Sequence, residues 1–482
     1  MNRAFLIFNP MKEYPLIIGG TALTTENKLN VLDPYDNGIV GKTYLAGADE
    51  LERAIEVAES VREELWALPT YARSNALLQI ADEINERSDE LAKLLAAECG
   101  KPLKYALGEI KRAVNTFQVA SEEAKRLPGE VMQIDTTAGG TGREGIVKYF
   151  PVGLVAGIAP FNFPMNLVAH KVAPAIASGC PIILKPASAT PLSALELQRI
   201  ANKTDLPKGC VTVLPMDRQS GNQLVTDERF KLLTFTGSPE VGWRMKEQAG
   251  KKRVVLELGG NAGVIITKGT NLDKALPRLI IGAFAYSGQQ CIHTQRCFVH
   301  SSLFDEFCEK MKAGAEKLKW GSPLEADTDI SAMIDANNTA RMDEWLKEAA
   351  DAGSKVVSGG FEKDGIYAPT ILTNVKKEMQ VCSEEVFGPI IVVEKFDDFE
   401  DAIKQLNDSR FGLQAGVYTD SIAEMNLAFE RIECGGVIIN DVPTFRVDEM
   451  PYGGIKDSGF GREGLKYAIL DMMEPRILVK PK

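Results

Sequence analysis

The sequence predicts an α/β protein of two or three lobes built on parallel sheets. Two observations carry this. The chain has 482 residues with 45% hydrophobic content, too long for one ordinary core. From about residue 150, short apolar runs alternate with helical patterns, which is the cadence of βαβ units.

The elements follow in chain order. An apolar patch from Ala4 to Phe8 is ended by Asn9-Pro10 and is too short for a signal-peptide core. Residues 49–66 carry a helical stripe of Leu51, Ala54, Ile55, Ala58, Val61 and Leu65. Residues 72–98 repeat it with Leu77, Ile80, Ile84, Leu91, Leu94 and Leu95. Gly100 then sits where a helix C-cap belongs, and Pro102 prevents continuation. Residues 129–149 hold Thr136-Thr137 and Gly139-Gly140-Thr141-Gly142 between alternating segments, which reads as a projecting β-hairpin. Such an arm pairs with another subunit or stands as a plain surface hairpin. Strands are expected at 154–158, 181–184, 211–214, 231–235 and 254–258, with helices at 164–178, 191–203, 218–226 and 238–249 between them. A second α/β stretch runs from about 260 to 440, with helices near 272–287, 302–317 and 339–350 and apolar runs at 390–393 and 436–439.

Composition narrows the function. A formal charge of −11 repels phosphate backbones, so nucleic acid is a poor partner. No apolar run reaches the roughly 18 residues that span a bilayer. The eight cysteines form no C-x-x-C pair and read as reduced thiols of a cytoplasmic protein. The three histidines, His170, His293 and His300, lack metal spacing, so no metal is expected. No G-x-S-x-G elbow is present for a serine hydrolase.

Two literal G-x-G-x-x-G strings, Gly140-Gly142-Gly145 and Gly459-Gly461-Gly464, lack the strand before and helix after that a dinucleotide fingerprint requires. They read as tight turns. A better phosphate candidate is Phe235-Thr236-Gly237-Ser238-Pro239. There a strand ends, Gly237 allows the turn, Ser238 can cap the next helix and Pro239 suits its first turn. Alone, this is also an ordinary β-α junction.

The most informative segment is Ser287-Gly288-Gln289-Gln290-Cys291. Gly288 lets the backbone turn sharply, and a cysteine thiolate is an intrinsically strong nucleophile for a carbonyl. Most cysteines are small buried hydrophobes, and the other seven are read that way. Three companions raise Cys291 above that reading. Pro160-Phe161-Asn162-Phe163-Pro164 holds an amide rigidly, as an oxyanion donor needs. Leu256-Glu257-Leu258-Gly259-Gly260 ends an apolar strand with a carboxylate whose burial suits a general base. Glu384-Glu385-Val386-Phe387-Gly388-Pro389 puts an acid and an aromatic in a short rigid loop.

Together these segments resemble the aldehyde dehydrogenase superfamily over essentially the whole chain. The motifs Gly-Gln-x-Cys, Glu-Leu-Gly-Gly, Pro-x-Asn-x-Pro, Lys-Pro-Ala, Phe-Thr-Gly-Ser, Glu-x-Phe-Gly-Pro and Pro-x-Gly-Gly-x-Lys-x-Ser-Gly occur at 288–291, 257–260, 160–164, 185–187, 235–238, 385–389 and 451–459. The resemblance implies that Cys291 attacks the aldehyde while Asn162 and the Cys291 N–H hold the oxyanion. Hydride passes to a nicotinamide, and Glu257 activates water against the thioester. Lys171 resembles a family lysine of a proton relay. Lys185 and Glu385 would bind the two riboses, with Phe387 beside the nicotinamide ribose and Gly237 and Ser238 near the pyrophosphate. Pro160, Phe161 and Leu258 complete the implied cofactor surface. The implied lobes are a Rossmann-like cofactor domain (1–128 and 150–259), an α/β catalytic domain (260–450) and a small β oligomerisation element (129–149 and 451–482) in a homodimer or homotetramer.

Members preferring NAD commonly carry Glu three residues after the Lys-Pro-Ala lysine. Ser188 stands there, and a hydroxyl can donate to a 2′-phosphate that a carboxylate would repel. This favours NADP, with NAD as second cofactor. The nearest subgroup contains lactaldehyde and non-phosphorylating glyceraldehyde-3-phosphate dehydrogenases. His170 takes a position lining the family's substrate tunnel, Gln290 and Ile292 flank the cysteine, and Arg446 lies in the loop closing the tunnel mouth. A histidine and an arginine favour a short polar or anionic aldehyde. Phosphate-using relatives often carry Arg where Gln290 stands, which weighs against glyceraldehyde 3-phosphate and leaves lactaldehyde, glyceraldehyde or an anionic analogue. The alternatives are a semialdehyde dehydrogenase of succinate semialdehyde type and a non-catalytic structural relative.

Overall fold

The structure, a computed structural model, describes residues 12–482; the Ala4–Phe8 patch lies outside them. Five strands, Val155–Ile158, Ile182–Lys185, Val211–Val213, Leu232–Thr236 and Arg253–Glu257, form one parallel sheet. Val155–Ile158 lies beside both Ile182–Lys185 and Leu232–Thr236, so the winding reverses between the first and fourth strands. Gly459–Phe460 closes the edge next to Arg253–Glu257, antiparallel. In such a sheet, ligands bind beyond the carboxyl ends of the strands at the point of reversal. Here that point is the pair of loops after Ile158 and Thr236.

A second sheet has seven strands in the order 355–358, 370–373, 390–396, 296–300, 263–266, 414–418 and 436–439. Only its first strand is antiparallel to its neighbour. Near-continuous burial along its central strands fits a sheet covered on both faces. The third unit is an antiparallel ribbon in which Arg143–Pro151 pairs with Gly129–Gln133 on one side and Met473–Pro481 on the other.

Several expectations need correction. The stripe over 72–98 is two helices, Thr70–Glu86 and Ser88–Cys99, broken at Arg87. Arg87 turns to meet Glu90 at 2.7 Å and Glu196 at 2.9 Å, and Asp89 and Glu90 suit a new helix N-terminus. The 49–66 stripe likewise divides at Val61. The helix expected over 272–287 ends at Phe284, because Tyr286 and Ser287 are left-handed, with φ of 52° and 53°. Beyond Pro102 runs an unanticipated helix, Leu103–Glu123, the longest among the described residues. Its inner face buries Glu109, Thr116 and Ser121 as well as apolar side chains, and this blurred the hydrophobic period. It packs on Asn166–Ser178, a helix buried on every side. No helix among the described residues is long and apolar enough to cross a membrane.

Candidate active site

Cys291 follows the left-handed turn at 286–288. Gly288 has φ of 68°, and a Cβ there would collide with the Gly388 carbonyl, so glycine is required on two counts. The turn delivers Cys291 between two cavities, each about 290 Å³. One is lined by Pro160, Phe161, Asn162, Gly237, Ser238, Glu257, Leu258, Glu385 and Phe387. The other is lined by Phe163, Leu167, Gln290, Ile292, Thr444, Arg446 and Tyr452.

The Cys291 Sγ lies 3.1 Å from the Tyr452 hydroxyl. Burial pushes the thiol up to about 11, against the Tyr452 hydrogen bond, which favours thiolate. Asn162 is buried, and its Nδ2 donates to the Gln289 carbonyl at 3.1 Å. An amide nitrogen carries two hydrogens, so one remains for a ligand. Glu257 ends its strand buried, with neither oxygen hydrogen-bonded among the described residues. Burial, and then the negative charge of Glu463, raise its carboxyl well above the usual range. A Cβ at Gly453 would come within 2.9 Å of Glu257 Oε1, so the 452–454 turn makes room for this carboxylate.

Behind these groups lies a buried charged network. Lys171 Nζ donates to Thr236 Oγ1 at 2.7 Å, to Thr234 Oγ1 at 3.1 Å and to Glu463 Oε1 at 3.4 Å. Burial lowers the Lys171 ammonium, opposed by Glu463 and Glu257. Burial works against the Glu463 carboxylate, yet Lys171, His170 and Arg446 hold it down at about 2. Arg446 donates to Glu463 Oε2 at 3.0 Å and stacks 3.7 Å above the Tyr452 ring. Asp448 lies 2.9 Å from His170 Nε2 and accepts from Arg112 at 3.1 Å and Asn115 at 3.0 Å.

Two expectations change here. His170 does not line the cavity shared by Cys291 and Arg446; the residue is 2% exposed and packs between Asp448 and Arg446, and burial lowers its proton affinity. Ser238 occupies the N-cap position with Pro239 next, but its hydroxyl makes no capping bond. The remaining predicted cofactor residues, Lys185 and Ser188, line a third cavity of about 590 Å³ with Phe235, Arg218 and Arg244. Among the described residues, Lys185 Nζ hydrogen-bonds only the Pro186 carbonyl, at 3.5 Å. Glu385 accepts from the Gly260 N–H at 2.9 Å, and burial raises it to about 7. Phe387, at φ of 48°, meets Phe161 edge-on at 5.8 Å between ring centroids.

Sequence reasoning missed Tyr452, Glu463, Arg112, Asp448, Arg218 and Arg244. Arg218 carried a signal: a cation in the first turn of a helix opposes the dipole and asks for an anion. The others become partners only through folding.

The sequence model of the aldehyde dehydrogenase family matches residues 22–478. The chain belongs to the aldehyde dehydrogenase family. It is an oxidoreductase acting on aldehydes. The dehydrogenase is 40% identical to a 3-sulfolactaldehyde dehydrogenase of Priestia aryabhattai, over 97% of this chain and 98% of the relative. Its fold is similar to aldehyde dehydrogenase 21 of Physcomitrella patens, solved with the reaction product succinate: TM-score 0.96, 44% identity, 98% of each chain. It is also similar to the glyceraldehyde-3-phosphate dehydrogenase GapN of Methanocaldococcus jannaschii, solved with NADP: TM-score 0.90, 36% identity, 94% of this chain and 99% of the other. These likenesses agree with the subgroup expected from the sequence.

Proposed function

We propose that the dehydrogenase oxidises a short aldehyde bearing an anionic tail to its carboxylate, through a covalent Cys291 intermediate and with NADP preferred over NAD. The observation carrying this is Arg446. Its side chain is only 6% exposed, it lines the same cavity as Cys291, and its Nε has no partner among the described residues. A buried donor without a partner is costly unless a ligand supplies one. Arg112, in the same cavity, also has an unpartnered Nε. The relative named for a sulfonated aldehyde and the neighbour solved with succinate support a sulfonate or carboxylate tail. Gln290 stands next to the cysteine where phosphate-using relatives often carry Arg, which weighs against a phosphate ester.

The residues divide the work as follows. Cys291 Sγ bonds to the aldehyde carbon, with the Tyr452 hydroxyl donating to the thiolate. The free Asn162 N–H and the Cys291 backbone N–H hold the developing oxyanion. A bound nicotinamide supplies the hydride acceptor. Glu257 then takes a proton from the water that attacks the thioester; the C–S bond breaks, the Cys291 thiolate leaves and the carboxylate is released, with the charges of Lys171 and Glu463 acting on Glu257 from behind.

The protein fits such a cofactor. Glu385, Phe387 and the Gly237-Ser238 turn surround one cavity, and the Ser238 hydroxyl, free of capping, can meet phosphate. Lys185, Arg218 and Arg244 share the other cavity with Ser188, and among the described residues none of the three cations forms a salt bridge. That charge favours an extra 2′-phosphate. Pro160, Phe161 and Leu258 supply the apolar wall. The ribbon of 129–133, 143–151 and 473–481 exposes Val131, Ile477, Leu478 and Val479, which supports its role as the self-association element.

The test is kinetic. With 3-sulfolactaldehyde, succinate semialdehyde and neutral lactaldehyde as substrates, Arg446→Met should lower kcat/KM for an anionic aldehyde by about tenfold or more relative to lactaldehyde. A wild-type preference for lactaldehyde, or equal loss on all three, would overturn the anionic reading.

A further inference from the structure

We propose that Lys101 is a positioning residue that sets the spacing of the two oxyanion donors. Lys101 sits in the two-residue link between Gly100 and Leu103 and is 1% exposed. Its ammonium donates to the Glu109 carboxylate and, at 2.7 Å, to the backbone carbonyl of Asn162. It also lies 3.7 Å from the centroid of the Phe163 ring and 4.4 Å from that of Tyr286. The other Glu109 oxygen accepts from the N–H groups of Met165 and Asn166, at 2.9 and 3.1 Å. One buried ion pair therefore grips the Asn162 loop at its carbonyl, at its next ring and at the start of the following helix.

The same cation reaches the cysteine segment. Tyr286 begins the left-handed turn that delivers Cys291, and its hydroxyl donates to the Cys99 carbonyl at 3.1 Å. Residues 99–101 thus hold Tyr286 at both its ring face and its hydroxyl. Asn162 Nδ2 in turn bonds the Gln289 carbonyl two residues before the nucleophile. The Asn162 amide and the Cys291 N–H come from segments joined by this contact, whose two residues, Asn162 and Gln289, lie 127 apart in sequence. Two donors serve one oxygen only if their separation is held closely, since small misplacements cost large factors in rate. A left-handed Tyr286 and Ser287 are strained and need surrounding contacts to persist. Glu109 prevents Lys101 from remaining an uncompensated buried charge.

The inference rests on Asn162 as oxyanion donor, and the experiment separates the two. The measurement is single-turnover cofactor reduction with neutral lactaldehyde, alongside cofactor affinity by fluorescence. Lys101→Met combined with Glu109→Gln removes both charges together and leaves no unpaired carboxylate. It should slow reduction by about tenfold to a hundredfold, below the full loss of one oxyanion donor, with cofactor affinity unchanged. In an Asn162→Ala background the same pair of changes should cost less than about threefold, because with one donor removed no spacing between donors is left to set. Lys101→Arg keeps the charge but displaces the donor from the carbonyl. It should slow reduction by about threefold to tenfold, and this loss too should vanish with Asn162→Ala. Equal losses in both backgrounds, or a loss confined to anionic aldehydes, would overturn the proposal while sparing the role of Asn162. If Asn162→Ala itself leaves reduction unchanged, the oxyanion reading fails first.

Discussion

At the scale of residues, two titrating groups set the expected behaviour. Cys291→Ala should leave less than about a hundredth of wild-type turnover while cofactor affinity, measured by fluorescence, stays unchanged, since the sulfur acts only on substrate. Glu257 retains its proton above the usual carboxylate range because it is buried beside Glu463. Its basic form therefore grows as pH rises, and thioester hydrolysis should accelerate with pH until the carboxyl is fully ionised. Glu257→Gln should give one burst of reduced cofactor, then a slow phase whose pH slope is gone. The same shift has a sign for stability. A carboxyl raised on folding favours the protonated fold, so its contribution is present at low pH and lost as pH rises through the folded value. Thermal melts of wild type against Glu257→Gln should diverge at high pH, with the wild type losing more. For the cofactor, Ser188→Glu places a carboxylate among Lys185, Arg218 and Arg244. The ratio of kcat/KM for NADP over NAD should fall by about tenfold or more, and an unchanged ratio would remove Ser188 from the ribose site.

At the scale of elements, the turns around the site are tighter than their sequences announce. Gly453, at φ of 153°, backs onto the Glu257 carboxylate. Gly453→Ala should push Glu257 aside and slow the steady state while leaving the burst nearly intact, as stopped-flow traces would show. The βα units around the sheet of residues 155–257 were legible because each strand is a short apolar run bounded by turn residues. The strand at Leu232–Thr236 and the helix at Arg218–Thr226 fall within a residue of expectation. Leu103–Glu123 was not legible, because Glu109 on its inner face looks like solvent-facing charge until Lys101 and the 165–166 amides are placed against it. Arg87 ends a helix for a similar reason: its partner Glu196 lies 109 residues away.

At the scale of the whole molecule, the antiparallel ribbon leaves an apolar strip that one chain does not cover. With the ribbon as the assembly element, Leu478→Glu should shift sedimentation toward a smaller species. It should change the melting temperature of that species little, because Leu478 is already 59% exposed in the single chain. An unchanged sedimentation profile would remove the ribbon from the interface.

The sequence by itself determined the α/β class and the family, and it singled out Cys291, Asn162 and Glu257 as the candidates for the site. Those are properties of local strings: periodic apolar runs, turn residues and short motifs whose chemistry depends on residue type. Tertiary structure alone decided where His170 points, that the Arg446 side chain is buried and paired with Glu463, and that Tyr452 meets the Cys291 sulfur. It also joined Lys101 to Asn162 across 61 residues. The physical reason is that a charge reads the same in any sequence. Its burial and partner, which set its proton affinity and its role, come from segments that meet only when the two sheets close around the site.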